Sequence, residues 1–412
     1  MTPQNKQRIE QIRRGEVPEG YKRTKVGIVP SEWEITKLYL ISSHVTKKNT
    51  NGEIQTTFTN SATQGVIKQT DYFDKEISNK ENITSYYVVQ ENDYIYNPRI
   101  SVSAPCGPIN KSHFPENGVV SPLYTVFRLN DVFQKNKYIE FFFKSSSWHS
   151  YMCGIANYGA RHDRMNITTD DLFSMPISFP PLSEQEKIAE ILQTQDKVIE
   201  LQQKKIDELK KLKKVYLSKM FPKKGCNVPE IRFPGFTDPW EQCELGDICE
   251  YHSSSLTAKD IDEDGNSDLY DANSLIGKTK KGHMETDYIT IIKDGAGVGR
   301  TRLLPKISMF LGTMGALTPR NSDLYFLYQL ITNADLGKTY TGSTIPHIYF
   351  KDYGKNRYCI PSYAEQHKIG SYFRNLDNLI TLHQRKCDEE KQKKKALMQL
   401  LLTGIVRVEV KQ

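Results

Sequence analysis

The chain has 412 residues, enough for two or three domains of ordinary size. Hydrophobic residues make up 38% and the mean hydropathy is −0.57, values that allow a packed core but leave no apolar run near the ~18 residues of a membrane helix. Lysine and arginine (56) exceed aspartate and glutamate (49), for a net charge of +7, an excess that permits a nucleic-acid partner without demanding one. The seven cysteines include no Cys-x-x-Cys pair, which argues against a disulfide framework and a cysteine zinc site. The charged opening, Met1 to Arg14, has no apolar signal segment, so a reducing cytoplasm is the expected setting.

Taken in order, the elements occur twice. Residues 1–19 form an N-terminal helical extension. The first unit, 20–180, opens on Pro30-Ser31-Glu32-Trp33-Glu34, followed by Leu38 and Ile41. Short β-rich runs follow at Tyr86–Val89 and Tyr94–Tyr96, then a short buried helix over Lys137–Ser145. Pro180 to Gln185 closes the unit and starts a long helix within 181–224. The second unit, 225–360, reopens on Thr237-Asp238-Pro239-Trp240-Glu241, with Leu245 and Ile248, at an offset of 207. It contains the strand Tyr288–Ile292 and a helix over Asp323–Asn333. Pro361 to Gln366 closes it at an offset of 181 and begins the last segment, 361–412, a second long helix and a tail. The ends of the units match while their middles differ, as expected of one scaffold carrying two readers.

Both closing helices carry a coiled-coil stripe. Ile188, Leu192, Ile199, Ile206, Leu209, Tyr216 and Met220 follow steps of four and three. So do Ile369, Phe373, Leu376, Ile380, Leu397 and Leu401. Gln195, Gln202 and Lys213 interrupt one stripe, and His383, Glu390 and Lys394 the other. These either set register or face a partner. Ser183 with Glu186, and Ser362 with Glu365, have capping-box spacing. Helices pairing within one chain must run antiparallel, and at about 38 residues each they span ~57 Å. The competing arrangement is a parallel coil between two chains. The fold class is α+β: two mixed α/β domains separated by an antiparallel coiled coil of two long helices, a pseudo-twofold internal repeat.

Catalytic motifs are scarce. Asp294-Gly-Ala-Gly-Val-Gly-Arg300 follows a strand, but Arg300 stands where a dinucleotide fingerprint needs glycine, and no Walker Gly-Lys-Ser/Thr follows. A turn that exposes backbone beside Arg300 suits a phosphate or base edge instead, with Lys293 just ahead of it. Tyr96-Asn97-Pro98-Arg99 holds the similar place in the first unit. It begins like an adenine-methyltransferase tetrapeptide but continues with Arg99, so it reads as a turn offering Asn97 and Arg99. The loop Tyr158–Asn166 carries Arg161, His162, Arg164 and Asn166, donors suited to guanine and adenine edges. Its less basic counterpart, Gly342–His347, carries Ser343, Thr344 and His347. Lysines 210, 211, 213, 214, 219, 223 and 224 end the first helix, and 391, 393, 394 and 395 lie near the end of the second. These are either solvated faces or a nucleic-acid surface.

The run from Val228 through Phe233-Pro234-Gly235-Phe236 to Trp240-Glu241, and Gly20-Tyr21-Lys22 through Trp33-Glu34, resemble the openings of target-recognition domains in the specificity subunit of type I restriction–modification systems. Pro180–Ala189 is similar to that family's first constant helix. Pro361–Ile369 matches less closely, with Tyr363 where leucine is usual. Asp294–Arg300 and Gly342–Thr344 also recur there. The resemblance covers nearly the whole chain beyond Gly20. It implies a subunit without a catalytic centre or metal. Each recognition domain would read half of an asymmetric, bipartite site in double-stranded DNA. It implies two methyltransferase partners carrying S-adenosylmethionine, and motor–nuclease (restriction) subunits using ATP and Mg. The alternatives are a self-contained methyltransferase or nuclease with unrecognised motifs, and a coiled-coil DNA-binding regulator.

Overall fold

The computed structural model describes residues 2–72, 83–156, 163–223, 225–342 and 345–408. The chain divides into two compact units: Met1–Glu200 with Asp388–Gln412, and Leu201–Cys387. Each long helix therefore contributes one part of its length to each unit.

In chain order, the elements used below in the first unit are α1 (Pro3–Arg13), β1 (Glu34–Lys37), α2 (Leu38–Ile41), β2 (Ser42–His44), β3 (Tyr94–Tyr96), β4 (Ile109–Lys111), β5 (Thr125–Leu129), α3 (Lys137–Lys144), β6 (Pro176–Phe179) and the long α4 (Leu182–Met220). Those in the second are β7 (Glu241–Glu244), α5 (Leu245–Ile248), β8 (Cys249–Ser253), β9 (Tyr288–Ile292), β10 (Thr301–Leu304), β11 (Met314–Pro319), α6 (Leu324–Ala334), β12 (Arg357–Ile360) and the long α7 (Tyr363–Leu401). The first unit holds an antiparallel sheet ordered β2-β5-β3-β4, the second one ordered β8-β11-β9-β10. Position for position, these are the same sheet. A separate pair closes each unit, β1 with β6 and β7 with β12.

The strands are legible from burial. All five residues of β9 are buried, and alternate side chains serve two cores. Ile289 and Ile291 pack with Phe326, Leu327 and Leu330 of α6, while Tyr288 and Ile292 pack with Phe310 and Met314. In the first unit Tyr94 and Tyr96 join the core of Trp33 and Phe142, and Ile95 turns to Phe58 and Val126. Asn136 and Asp323 cap α3 and α6, each accepting from backbone N–H groups of the first turn.

The Pro…Glu-Gln signature has a different role from the capping box expected of it. Ser183 lies inside the first turn of α4, whose Glu184 and Gln185 N–H groups donate to the Pro181 carbonyl. Glu184 is buried and accepts the Trp33 indole N–H at 3.2 Å and two bonds from Arg407 at 2.7 Å. Its counterpart Glu365 accepts two bonds from Arg232, at 2.9 and 2.7 Å. Gln185 and Gln366 fold back onto the carbonyls of Pro180 and Pro361, at 2.7 and 2.9 Å. Each carboxylate is thus spent on an arginine that follows the end of the opposite long helix, so Glu365 is not left to complete a capping box with Ser362, while Ser183 sits too far inside α4 to cap it with Glu186.

The polar residues in the helical stripes pair with one another. In the first unit Asp196 meets Lys394, and Gln195 meets Glu390. In the second, Lys213 bonds both oxygens of Asp377, at 2.7 and 2.9 Å, and Gln202 meets His383 at 2.8 Å. Within the second unit the partner number falls as the α4 number rises, so the segments run antiparallel. Pairing of this kind fixes register. Cys387 fills a further stripe position and is fully buried.

Candidate nucleic-acid interface

In both units the chain leaving the central strand is bridged to a loop much later in sequence. After β3, Ile100 N–H donates to the Asp163 carbonyl and Met165 N–H to the Pro98 carbonyl, both at 3.0 Å. After β9, Gly295 N–H donates to the Pro346 carbonyl and Ile348 N–H to the Lys293 carbonyl, again at 3.0 Å. Arg99 stands opposite Arg164 in one antiparallel bridge, and Asp294 opposite His347 in the other. Met165 and Ile348 are buried beneath and anchor the loops. The backbone is the same in both units and the opposed side chains are not.

In the first unit, the half-buried Asn97 donates to the Asn60 carbonyl at 3.0 Å, and its Oδ1 accepts the Arg99 N–H at 3.0 Å. It holds the turn that presents Arg99. The Arg99 side chain is exposed, as is Asn166, and Arg164 is half-buried with its Nε 3.7 Å from Asp163. Arg161 and His162 lie outside the described residues.

In the second unit His347 Nδ1 is 2.7 Å from Asp294 Oδ1. The imidazole lies nearly parallel to the Tyr349 ring, with centroids 6.3 Å apart, and Lys351 Nζ sits 5.3 Å over that ring. Lys293, Asp294, Tyr349 and Lys351 line a cavity of about 440 Å³, with Tyr251 and Phe350 stacked against each other in its wall. Burial and then the Asp294 carboxylate push the Tyr251 hydroxyl up from its ordinary pKa. Ser343 and Thr344 lie outside the described residues.

Arg300 is exposed but engaged: one terminal nitrogen donates to the Ala272 carbonyl at 2.6 Å and to Asn273 Oδ1 at 2.7 Å. It fastens the turn at 271–274, where the Ser274 and Asn273 N–H groups hold the Asp271 carboxyl below the usual range. Arg302, which no sequence motif singles out, stacks over Tyr270 at 5.1 Å and buries one terminal nitrogen with no partner. In the glycine run that suggests a nucleotide loop, Gly299 is a packing position. Gly299 has φ +83, and a Cβ there would stand 2.2 Å from the Gly337 nitrogen.

The lysine runs divide by position. Lys210, Lys211, Lys214, Lys391, Lys393 and Lys395 are exposed, whereas Lys213 and Lys394 are drawn into the helical pairs. Asp294, Tyr349 and Lys351 do not stand out in the sequence because only the bridge brings them to the Lys293 turn; the one sequence signal is the matching position of the two loops. No helix among the described residues is long and apolar enough to cross a membrane, and none of their side chains cluster as a group of metal ligands.

The profile of the type I restriction modification DNA specificity domain matches residues 30–211 and again residues 237–391. The MjaX protein of Methanocaldococcus jannaschii, assigned as a type I restriction enzyme specificity subunit, is 24% identical over 95% of this chain and 97% of its own length. The MjaVIII specificity subunit of the same organism is 24% identical over 57% of this chain and 63% of its own. Among solved structures, the S subunit of a type I restriction–modification system from M. genitalium shares the fold, with TM-score 0.56 and 18% identity over 90% of this chain and 96% of that one. A chain from a study of complex assembly in a type I R-M system also gives TM-score 0.56, at 16% identity over 92% and 99%. Two copies of one scaffold, each matched by the same profile, carry the identification: the chain belongs to the type I restriction–modification specificity subunits.

Proposed function

We propose that this chain is the non-catalytic, DNA-reading subunit of a type I restriction–modification complex, each unit reading one half of a bipartite, asymmetric site. The observation that carries the reading is the repeated bridge: Arg99 and Arg164 in one unit and Asp294 and His347 in the other occupy one backbone geometry. A scaffold kept constant while its presented side chains change is what two readers of different sequences require. In this reading the chain binds neither cofactor nor metal. Two methyltransferase subunits supply S-adenosylmethionine and modify one adenine on each strand, and restriction subunits supply ATP-driven, Mg-dependent cleavage. The complex acts on cytoplasmic double-stranded DNA.

The test is methylation mapping of the full chain co-expressed with its methyltransferase. Replacing residues 225–360 with the matching segment of a relative should change one half-site and leave the other intact. Changes in both would refute independent readers, and methylation by the purified chain alone would refute the non-catalytic assignment.

A further inference from the structure

We propose that the bridge pairs set base identity: the first unit selects a guanine, and the second selects a base that presents an exocyclic amine in the major groove, adenine or cytosine. The inference rests on the DNA-reading function proposed above and goes further by assigning a base class to each unit.

Arg99 and Arg164 face each other across an antiparallel bridge, which sets their Cβ atoms on one side of the ribbon about 4.5–5.5 Å apart. A guanidinium only donates. A pair of them is matched by an edge that only accepts, and in the major groove that edge is guanine O6 and N7. The Asn97 Oδ1 bond to the Arg99 N–H fixes the backbone from which one of the two reaches out.

The second unit inverts this. A carboxylate only accepts, so the 2.7 Å contact between Asp294 Oδ1 and His347 Nδ1 makes Nδ1 the donor. In the neutral imidazole that leaves Nε2 with the lone pair, an acceptor. Asp294 keeps a second acceptor oxygen. The pair therefore offers acceptors, and the matching groups are adenine N6 and cytosine N4. A carboxylate beside a phosphate backbone needs positive charge nearby, and Lys293 and Lys351 line the adjoining cavity. Asp294 is here a positioning residue as well, since it selects the tautomer of His347.

The experiment is selection of a randomised duplex library by the full chain in complex with its methyltransferase, followed by sequencing of bound sites. Arg99→Ala and Arg164→Ala should relax a guanine in one half-site by roughly tenfold to a hundredfold, the other half-site remaining unchanged. His347→Arg should switch a position in the other half-site from adenine or cytosine to guanine. Asp294→Ala should blur that same position, and Asp294→Asn, whose carbonyl still accepts from Nδ1 but whose NH2 replaces the second acceptor, should blur it less than Asp294→Ala. Melting curves of each variant establish that it is folded. If Arg99 and Arg164 variants bind all sequences equally more weakly with base choice unchanged, these are phosphate contacts and the inference fails while the DNA-reading function stands. It fails in the same way if the position controlled by His347 is guanine in the unsubstituted protein. If no bipartite sequence is selected at all, the proposed function itself fails.

Discussion

The tie between Arg232 and Glu365 should be the most sensitive polar contact in the second unit. Glu365 is 1% exposed and has both oxygens on Arg232. The same guanidinium donates to the Asp238 carbonyl at 2.9 Å and so pins the segment leading to the buried Trp240. Arg232→Ala leaves a carboxylate buried without its counter-charge, a change that costs ~3–5 kcal/mol in comparable sites. Because one edge of Arg232 reaches solvent, the lower end, about 3 kcal/mol, is the expected loss. For a unit of this size that corresponds to a melting point lowered by about 6–12 °C. Hydrogen exchange should locate the weakening in the first turns of α7 and around Trp240, while the α4 start, where Arg407 serves Glu184, keeps its protection. The double variant Arg232→Met with Glu365→Met removes both charges and should recover most of the stability. A loss below about 1 kcal/mol for Arg232→Ala, or a double variant no better than the single, would refute the reasoning.

Other consequences can be checked on the same protein. Burial pushes the Glu140 carboxyl up, but His113, Lys144 and Lys137 outweigh it and hold the group well below the carboxylate range. A depressed native pKa stabilises at pH values above the unfolded value, ~4.3, and that share is lost as pH falls below it. Urea titrations should therefore show a shallower acid loss for Glu140→Gln than for the unsubstituted chain. Gly299→Ala should cost ~2 kcal/mol or more, because its Cβ meets the Gly337 backbone; Gly295→Ala, at φ +82 in open space, should cost only about 1 kcal/mol by the same assay. Exchanging the bridge pairs, Arg99→Asp with Arg164→His, should alter thermal stability by no more than ~0.5 kcal/mol while abolishing recognition of one half-site. A large drop in melting temperature would show that the arginines are part of the packing.

The repeat is legible because packing constrains it. Trp33 and Trp240 are both buried, and the four-and-three spacing of the helical stripes predicts the buried Ile188, Leu192, Ile369 and Phe373. Cys387 sits on the same spacing and is buried with them, as a free cysteine acting as a small apolar residue is expected to be. What sequence could not show is which distant segments meet. Glu365 has the spacing of a capping residue and Glu184 belongs to the matching Pro…Glu-Gln signature, and only the fold brings Arg232 and Arg407 to them. Arg300 reads as an open donor, yet its guanidinium is committed to the 272–273 turn. Asp294 looks like the start of a glycine loop until the bridge sets it against His347.

These particulars separate two jobs within each unit. What the two units share in holding the bridge is main chain and buried apolar side chain: the four N–H to carbonyl bonds, Met165, Ile348 and the strands β3 and β9 behind them. Backbone bonds do not depend on the identity of the residue that makes them, so the opposed positions are released from any duty to the fold. The closing helices show the reverse case. There Asp196 with Lys394 and Lys213 with Asp377 use the same residue types in both units, because a register pair must keep its partner to keep its alignment. In these ion pairs, where alignment depends on a side chain, the two units agree, and at the bridge, where it depends on backbone, they differ. That division lets one fold be written twice in a chain while each copy presents its own side chains at the bridge.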